Sequence, residues 1–252
     1  MMNYILADYK RVITRIPRIV LLFIYEAVFV TFVLIRWSKT AGTYTSVTLL
    51  DHSSTFLAFW FTYVLCLVDF IHSFSFDFSA KTIQVALGIG ITRLQVILSK
   101  LIQSALVMFT DFLVTFGVFG ILCAITRTSM AAHQLTFLIY NGLGSILLVI
   151  VSVSLLLPLV FRTQNMVVSM VGYFVIVPGL LTSLLRWVSR LGPVFLARLQ
   201  LDQFTHDSCA NSVLTNALAG NFRLMPWIGV IIWFGLGVYL TWLAFRKMEL
   251  DF

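Results

Sequence analysis

Residues 77–100 read D-F-S-A-K-T-I-Q-V-A-L-G-I-G-I-T-R-L-Q-V-I-L-S-K, from Asp77 to Lys100, between two long apolar runs. Lys81, Gln84, Gly88, Thr92, Gln95 and Ser99 form a polar or small stripe at helical spacing. Ile83, Leu87, Ile91, Leu94, Leu98 and Leu101 form an apolar one. Gly88 and Gly90 interrupt the run, and Thr92-Arg93-Leu94-Gln95 has the form of a capping box, in which hydroxyl and amide satisfy orphan N–H groups at a helix start. The pattern predicts a short cytoplasmic helix, a glycine break and a second helix running into a membrane.

The flanking sequence requires that membrane. The chain has 252 residues, 60% of them hydrophobic and 11% charged, with a mean hydropathy of +0.99. A soluble domain cannot hide so much apolar surface, whereas runs of about 20 nearly uncharged residues are long enough to cross a bilayer. The runs lack the period-two alternation of a barrel, so helices must satisfy the backbone. The expectation is an all-α, polytopic membrane protein forming a single transmembrane domain over 1–252. Six spans are expected at about 17–35, 54–75, 103–125, 137–161, 166–185 and 227–245. The first is too long for a signal-peptide core and lacks a small-x-small cleavage site, so it is expected to be retained.

A net charge of +7 does not indicate nucleic acid, because the basic residues flank the spans and form no single patch. With the N-terminus inside, Lys10, Arg11, Arg15, Arg18, Lys81, Arg93, Lys100, Arg162, Arg246 and Lys247 are cytoplasmic. Outside the long loop at 186–225, only Arg36, Lys39 and Arg127 oppose them, so both termini are expected in the cytoplasm. Cys66, Cys123 and Cys209 show no metal spacing and no obvious disulfide pair, and read as small buried hydrophobes.

Ile5, Tyr9, Val12, Ile13 and Ile16 share one face of a helix over 3–16, which is expected to lie on the inner leaflet before Pro17 turns the chain into the first span. A polar outer loop joins spans one and two over Arg36–Ser53. In the outer loop over 186–225, Arg186–Leu199 reads as amphipathic helices, broken at Gly192-Pro193, that dip into the outer interface or re-enter the membrane, and Asp202–Asn216 as a polar stretch.

Ionisable residues inside spans are functional candidates, because a charge in hydrocarbon costs at least ~2.5–3.5 kcal/mol. Glu26, Asp69 and Asp111 qualify. They read either as a polar path for a cationic or amphipathic substrate, or as a latch. The structural alternative pairs each with Ser, Thr or Tyr, or with Lys100 or Arg93. Asn141-Gly142-Leu143-Gly144-Ser145 faces no placed histidine base and reads as a packing motif. No catalytic residue, metal set or phosphate-binding loop is found, so the chain is not expected to be an enzyme on its own.

Six spans, an N-terminal interfacial helix and a glycine-broken inner loop resemble the permease subunits of type-2 ABC exporters. The likeness is to the small permeases of bacteriocin, lantibiotic and peptide-antibiotic export or immunity systems. In that family the loop after span two reads acidic-x4-Thr-x4-Leu-x2-Gly-Ile-x-Arg-x6-Lys, which maps onto Asp77, Thr82, Leu87, Gly90, Ile91, Arg93 and Lys100. Many relatives carry Glu-Arg before a Gly-Thr pair, where this chain has Asp77 and Lys81-Thr82. The resemblance implies that Ser79–Ile89 is a coupling helix seated in a cytoplasmic ATPase. On that view Asp77, Lys81, Thr82, Leu87 and Arg93 transmit its movement, and Gly88 and Gly90 form the break. It also implies a second permease subunit, identical or related, in a bacterial plasma membrane, with ATP and Mg bound by the partner and no cofactor by this chain. Two rivals remain: a non-transporting sensor or immunity subunit working with an ATPase, and a secondary transporter coupled to ions through Asp69 or Asp111.

Overall fold

The computed structural model describes residues 2–39, 45–79, 82–88, 90–180, 182–184, 187 and 201–246, with backbone alone at 58, 75–79, 82, 201 and 202. The described residues form helices joined by short turns, with no strand among them. Five helical stretches are long and apolar enough to cross a membrane: Ile16–Lys39, Ser46–Phe74, Arg93–Thr126, Ala132–Thr163 and Leu224–Arg246. The protein is therefore a multi-pass helical membrane protein.

The first helix, α1 (Met2–Ile13), buries Ile5, Asp8 and Val12 and packs on the third spanning helix. Its inward face thus includes an acid that the sequence assigns to the polar side. After it, α2 (Ile16–Lys39) carries Pro17 in its first turn, where a missing N–H costs nothing. Phe23 is 75% exposed on α2 while Phe29 is fully buried, the distribution expected of a helix with one face in lipid.

The second span starts earlier than expected. Thr45 caps α3 (Ser46–Thr55) by accepting from the Thr48 N–H at 3.4 Å, so Ser46–Ser53 of the expected outer loop is helix. Buried Leu49 and Ser53 hold it in the bundle. A π-helical stretch follows over Phe56–Leu65 and leads into α4 (Cys66–Ser79). The Tyr173 hydroxyl donates to the Thr62 carbonyl inside the π stretch at 2.6 Å.

Beyond the short helix α5 (Thr82–Gly88), α6 (Arg93–Thr126) has 34 residues, about 51 Å at helical rise, and so outruns a bilayer core of about 30 Å. Arg127 closes it with φ 52°, and Gln134 Oε1 accepts from the Ala131 N–H at 3.0 Å to start α7 (Ala132–Thr163). Asn165 Oδ1 accepts from the Val167 N–H at 2.9 Å to cap α8 (Met166–Ile176).

The expected fifth span, 166–185, is not one continuous helix. α8 has 11 residues and gives way at Val177, followed by Pro178 and by Gly179 at φ +69°. Only glycine adopts that φ cheaply, and a Cβ there would meet the Asp207 carboxylate. A 3-10 turn at Leu201–Phe204, α9 (His206–Leu218) and α10 (Leu224–Arg246) complete the described chain.

α7 and α10 lie against one another in parallel. Ser154 faces Gly237, and the Phe161 and Phe245 rings sit 4.8 Å apart at the C-terminal ends of both helices. α9 wedges against both through Val151, Cys209, Ala210, Val213 and Val230. The main core joins α2, the second span, α6, α7 and α8 around Phe29, Phe61, Phe70, Met108 and Tyr173.

Candidate functional site

Buried Lys100, Ser104, Asp111 and Thr115 are spaced four, seven and four residues apart along α6, with Gln103 beside Ser104. They therefore share a face over about 22 Å of helix. Most of these polar groups reach a different element. Lys100 Nζ pairs with Asp8 of α1, and Gln103 Nε2 donates to Ser73 Oγ of α4 at 3.3 Å. The Thr115 hydroxyl donates to Glu26 Oε1 of α2. Tyr9 and Thr110 hydroxyls bond at 2.8 Å beside this row.

At its centre, Arg18 Nε donates to Asp69 Oδ1 at 2.8 Å while Nη2 pairs with Asp111. All three side chains are at most 1% exposed. One guanidinium thus draws α2, α4 and α6 together. Its fork geometry suits it to two carboxylates at once, which a point-charge ammonium could not orient. Asp69 Oδ2 and Asp111 Oδ2 have no hydrogen-bond partner. With both acids ionised the triad carries one negative charge in excess.

The sequence flagged Asp69 and Asp111 but gave them the wrong cation. Lys100 is held by Asp8, and Arg93 turns away to α10. The sequence places Arg18 among the cytoplasmic flanking charges, yet among the described residues it is the largest fully buried side chain. Its missed signal was its position, within the first turn of a helix begun at Ile16. Glu26 accepts from the Thr115 hydroxyl of α6 within the bundle.

Among the described residues, 82–88 and 93–100 are helical and a turn at Gly90 separates them. The Ile91 N–H donates to the Ala86 carbonyl at 3.1 Å and the Gly90 N–H to the Leu87 carbonyl at 3.0 Å, with Gly90 at φ +89°. This paired pattern is a Schellman stop, and it closes α5. Thr92 then accepts from the Gln95 N–H, and Gln95 returns a bond to Thr92, completing the capping box of α6. The N–H groups of Gly90, Ile91, Thr92 and Gln95 are thus all paired within the corner between α5 and α6.

The candidate coupling residues fall differently around this corner. Ile83 and Ala86 are buried, Leu87 is half-buried against the core, and Val85 is 64% exposed. Gly88 and Gly90 are exposed. Arg93 Nη1 donates to the carbonyls of Phe245 and Arg246 at 3.0 and 2.8 Å, and its guanidinium lies over the Phe245 ring. It closes the C-terminal carbonyls of α10 and ties that helix to the corner. Asp77 and Thr82 are described by backbone only, and Lys81, Ile89, most of 186–200 and the ending 247–252 lie outside the described residues.

A second polar cluster, absent from the sequence reading, surrounds the end of α8. The Thr182 hydroxyl bonds to Thr205 Oγ1 at 2.8 Å and to Asp207. His206 Nε2 donates to the Ile176 carbonyl at 3.1 Å, and Trp233 Nε1 donates to the Phe204 carbonyl at 2.7 Å. Burial lowers the His206 pKa below its ordinary 6.5, against the opposing pull of Asp207 and of the bond to Ile176. Pro178-Gly179 was the available signal that a helix ends here.

Among the described residues no group of three or more His, Cys, Asp or Glu is placed to hold a metal ion. Gly142 packs on the Phe112 ring and Gly144 on Leu214, so the Asn141–Ser145 stretch lies in close helix contact. No family model and no curated protein matches the chain.

Proposed function

We propose that the chain is the transmembrane permease subunit of an ATP-driven exporter that moves an amphipathic peptide or lipophilic compound outward. A separate cytoplasmic ATPase supplies the nucleotide site, and a second permease subunit completes the path. The observation that carries this reading is the α5–Gly90–α6 corner. Its Gly90 and Ile91 N–H groups are paired to α5, Ile83 and Ala86 are buried, and Val85 is exposed. Such a corner can pass a push from a soluble partner into α6 and, through Arg93, into α10.

The same reading places the corner, both termini and the Phe161–Phe245 contact at the cytoplasmic end. Because α7 and α10 run parallel, the chain returns to the other side between them, and α8 would begin that fifth crossing. Arg18 would hold spans one, two and three as a unit during the movement. An ion-coupled transporter is the second reading, favoured by the unpartnered Asp69 and Asp111 oxygens.

Purification of the full chain from its native membrane in mild detergent, with ATP hydrolysis assayed in the product, separates the two. A stoichiometric ATP-hydrolysing partner is expected. A clean chain whose transport follows an ion gradient contradicts the exporter reading.

A further inference from the structure

α2 and α6 leave between them a groove of about 390 Å³ whose lining includes Phe23, Glu26, Ala27, Val30, Val118 and Ile121. Phe23 and Ile121 are 75% and 61% exposed, so the groove opens on the apolar, lipid-facing surface. Glu26 is the ionisable residue in the lining. One of its oxygens accepts from Thr115, while Oε2 is buried and has no hydrogen-bond partner. The residue is 8% exposed, and no ion pair reaches it among the described residues. Arg18, two turns away on α2, is already engaged by Asp69 and Asp111.

We propose that this groove binds a lipophilic amine, with its protonated nitrogen on the Glu26 carboxylate and its apolar body along Val30, Val118 and Ile121. Each alternative chemistry leaves a group unsatisfied. A neutral ligand without a donor keeps Oε2 unpaired in an apolar wall, which is costly. An anionic lipid is repelled. A guanidinium brings five N–H donors to an apolar groove that offers one free carboxylate oxygen, so most of them stay unpaired and an ammonium fits better. The volume lies near the low end for small-molecule sites and suits a drug-sized body. The inference deepens the exporter reading and rests on it for the direction in which the ligand moves; binding is measured without ATPase or transport.

The test uses the full chain in nanodiscs of zwitterionic phosphatidylcholine, titrated with a dansyl-tailed undecylamine and with the matching undecanol. Empty nanodiscs give the lipid background. Saturable amine binding is expected, with the alcohol weaker by at least about tenfold, the low end for a buried charge contact. Glu26→Gln removes that preference, and Ala27→Trp, which fills the groove, removes saturable binding of both probes. If Glu26→Gln does not elute as a folded species, Ala27→Trp and the amine-to-alcohol ratio still decide. Equal binding of amine and alcohol overturns the proposal, as does unchanged binding in Ala27→Trp. Spontaneous disulfide formation between copies of a Val118→Cys variant, which would place a second chain over the groove, also overturns it.

Discussion

Arg18 Nε reaches Asp69 Oδ1 at 2.8 Å across 51 positions of sequence, and both side chains are buried. Asp111 takes the other arm of the same guanidinium. Two carboxylates depend on one cation, so the cost of removing it is larger than the value of either bond. In a low-dielectric interior the abandoned acids have neither water nor a partner.

Arg18→Gln is therefore expected to destabilise the protein by about 3–5 kcal/mol, the range for breaking a buried ion pair from one side. Thermal unfolding in detergent reads this. Adding Asp69→Asn and Asp111→Asn to Arg18→Gln should recover most of the loss, because the orphaned charges are gone. A triple variant no more stable than the single one would show that the triad's charges do not matter to the fold.

Gly237 is where α10 meets α7 most closely. A Cβ there would lie 2.6 Å from the Ser154 backbone, and helix backbone cannot swing aside as a side-chain tip can. Gly237→Ala should cost about 1–3 kcal/mol through forced separation of the helices. Gly235 has nothing within 4 Å of the same position, so Gly235→Ala should be neutral or slightly stabilising through helix propensity. Unfolding midpoints of the two variants, measured together, check the contrast.

Arg93→Ala should loosen the end of α10. It removes two charge-assisted bonds to the Phe245 and Arg246 carbonyls, in a partly exposed setting, and the contact over the Phe245 ring. A loss of about 1–2 kcal/mol is expected, concentrated locally. Hydrogen exchange should rise in the last turn of α10 while the middle of α7 stays protected. A uniform rise along both helices would mean that Arg93 supports the whole bundle instead.

The legible part of this chain was local. A helix stop at Gly90 and a start at Thr92 are written within a few residues, and the structure closes them as the spacing implied. Spans were legible as apolar runs, though the Thr45 cap of α3 lay hidden in what read as a polar loop. Pairings across the bundle were not legible. Nothing in one sequence links Arg18 to positions 69 and 111, and a cation near a span end is equally at home in head groups. Asp8 failed similarly: periodicity put it off the apolar face, and its inward turn depends on Lys100 being there to meet it. Val85 and Leu87 differ only in which side of a short helix faces the bundle, and that is set by tertiary packing.

His206 gives a pH dependence with a definite sign. Its folded pKa lies below the ordinary 6.5, so the unfolded chain takes up this proton first as pH falls. The contribution to stability is complete above about 6.5 and is lost as pH drops through that value toward the folded pKa. His206→Gln keeps an N–H for the Ile176 carbonyl and should flatten this part of the curve. Unfolding midpoints of the two proteins, compared across mildly acidic pH, check it. Parallel curves would mean that other groups carry the acid response.

The central claim is that α5 presents its exposed face to an ATPase. A photo-crosslinking amino acid placed at Val85, then at Leu87, and activated in native membranes tests it most directly. The account predicts that position 85 captures a soluble protein that binds and hydrolyses ATP, that Leu87 captures it weakly because it faces the core, and that Val85→Asp abolishes ATPase co-purification while the chain stays folded. Capture of no ATP-hydrolysing protein at 85, with ATPase activity equally absent from the purified chain, would contradict it.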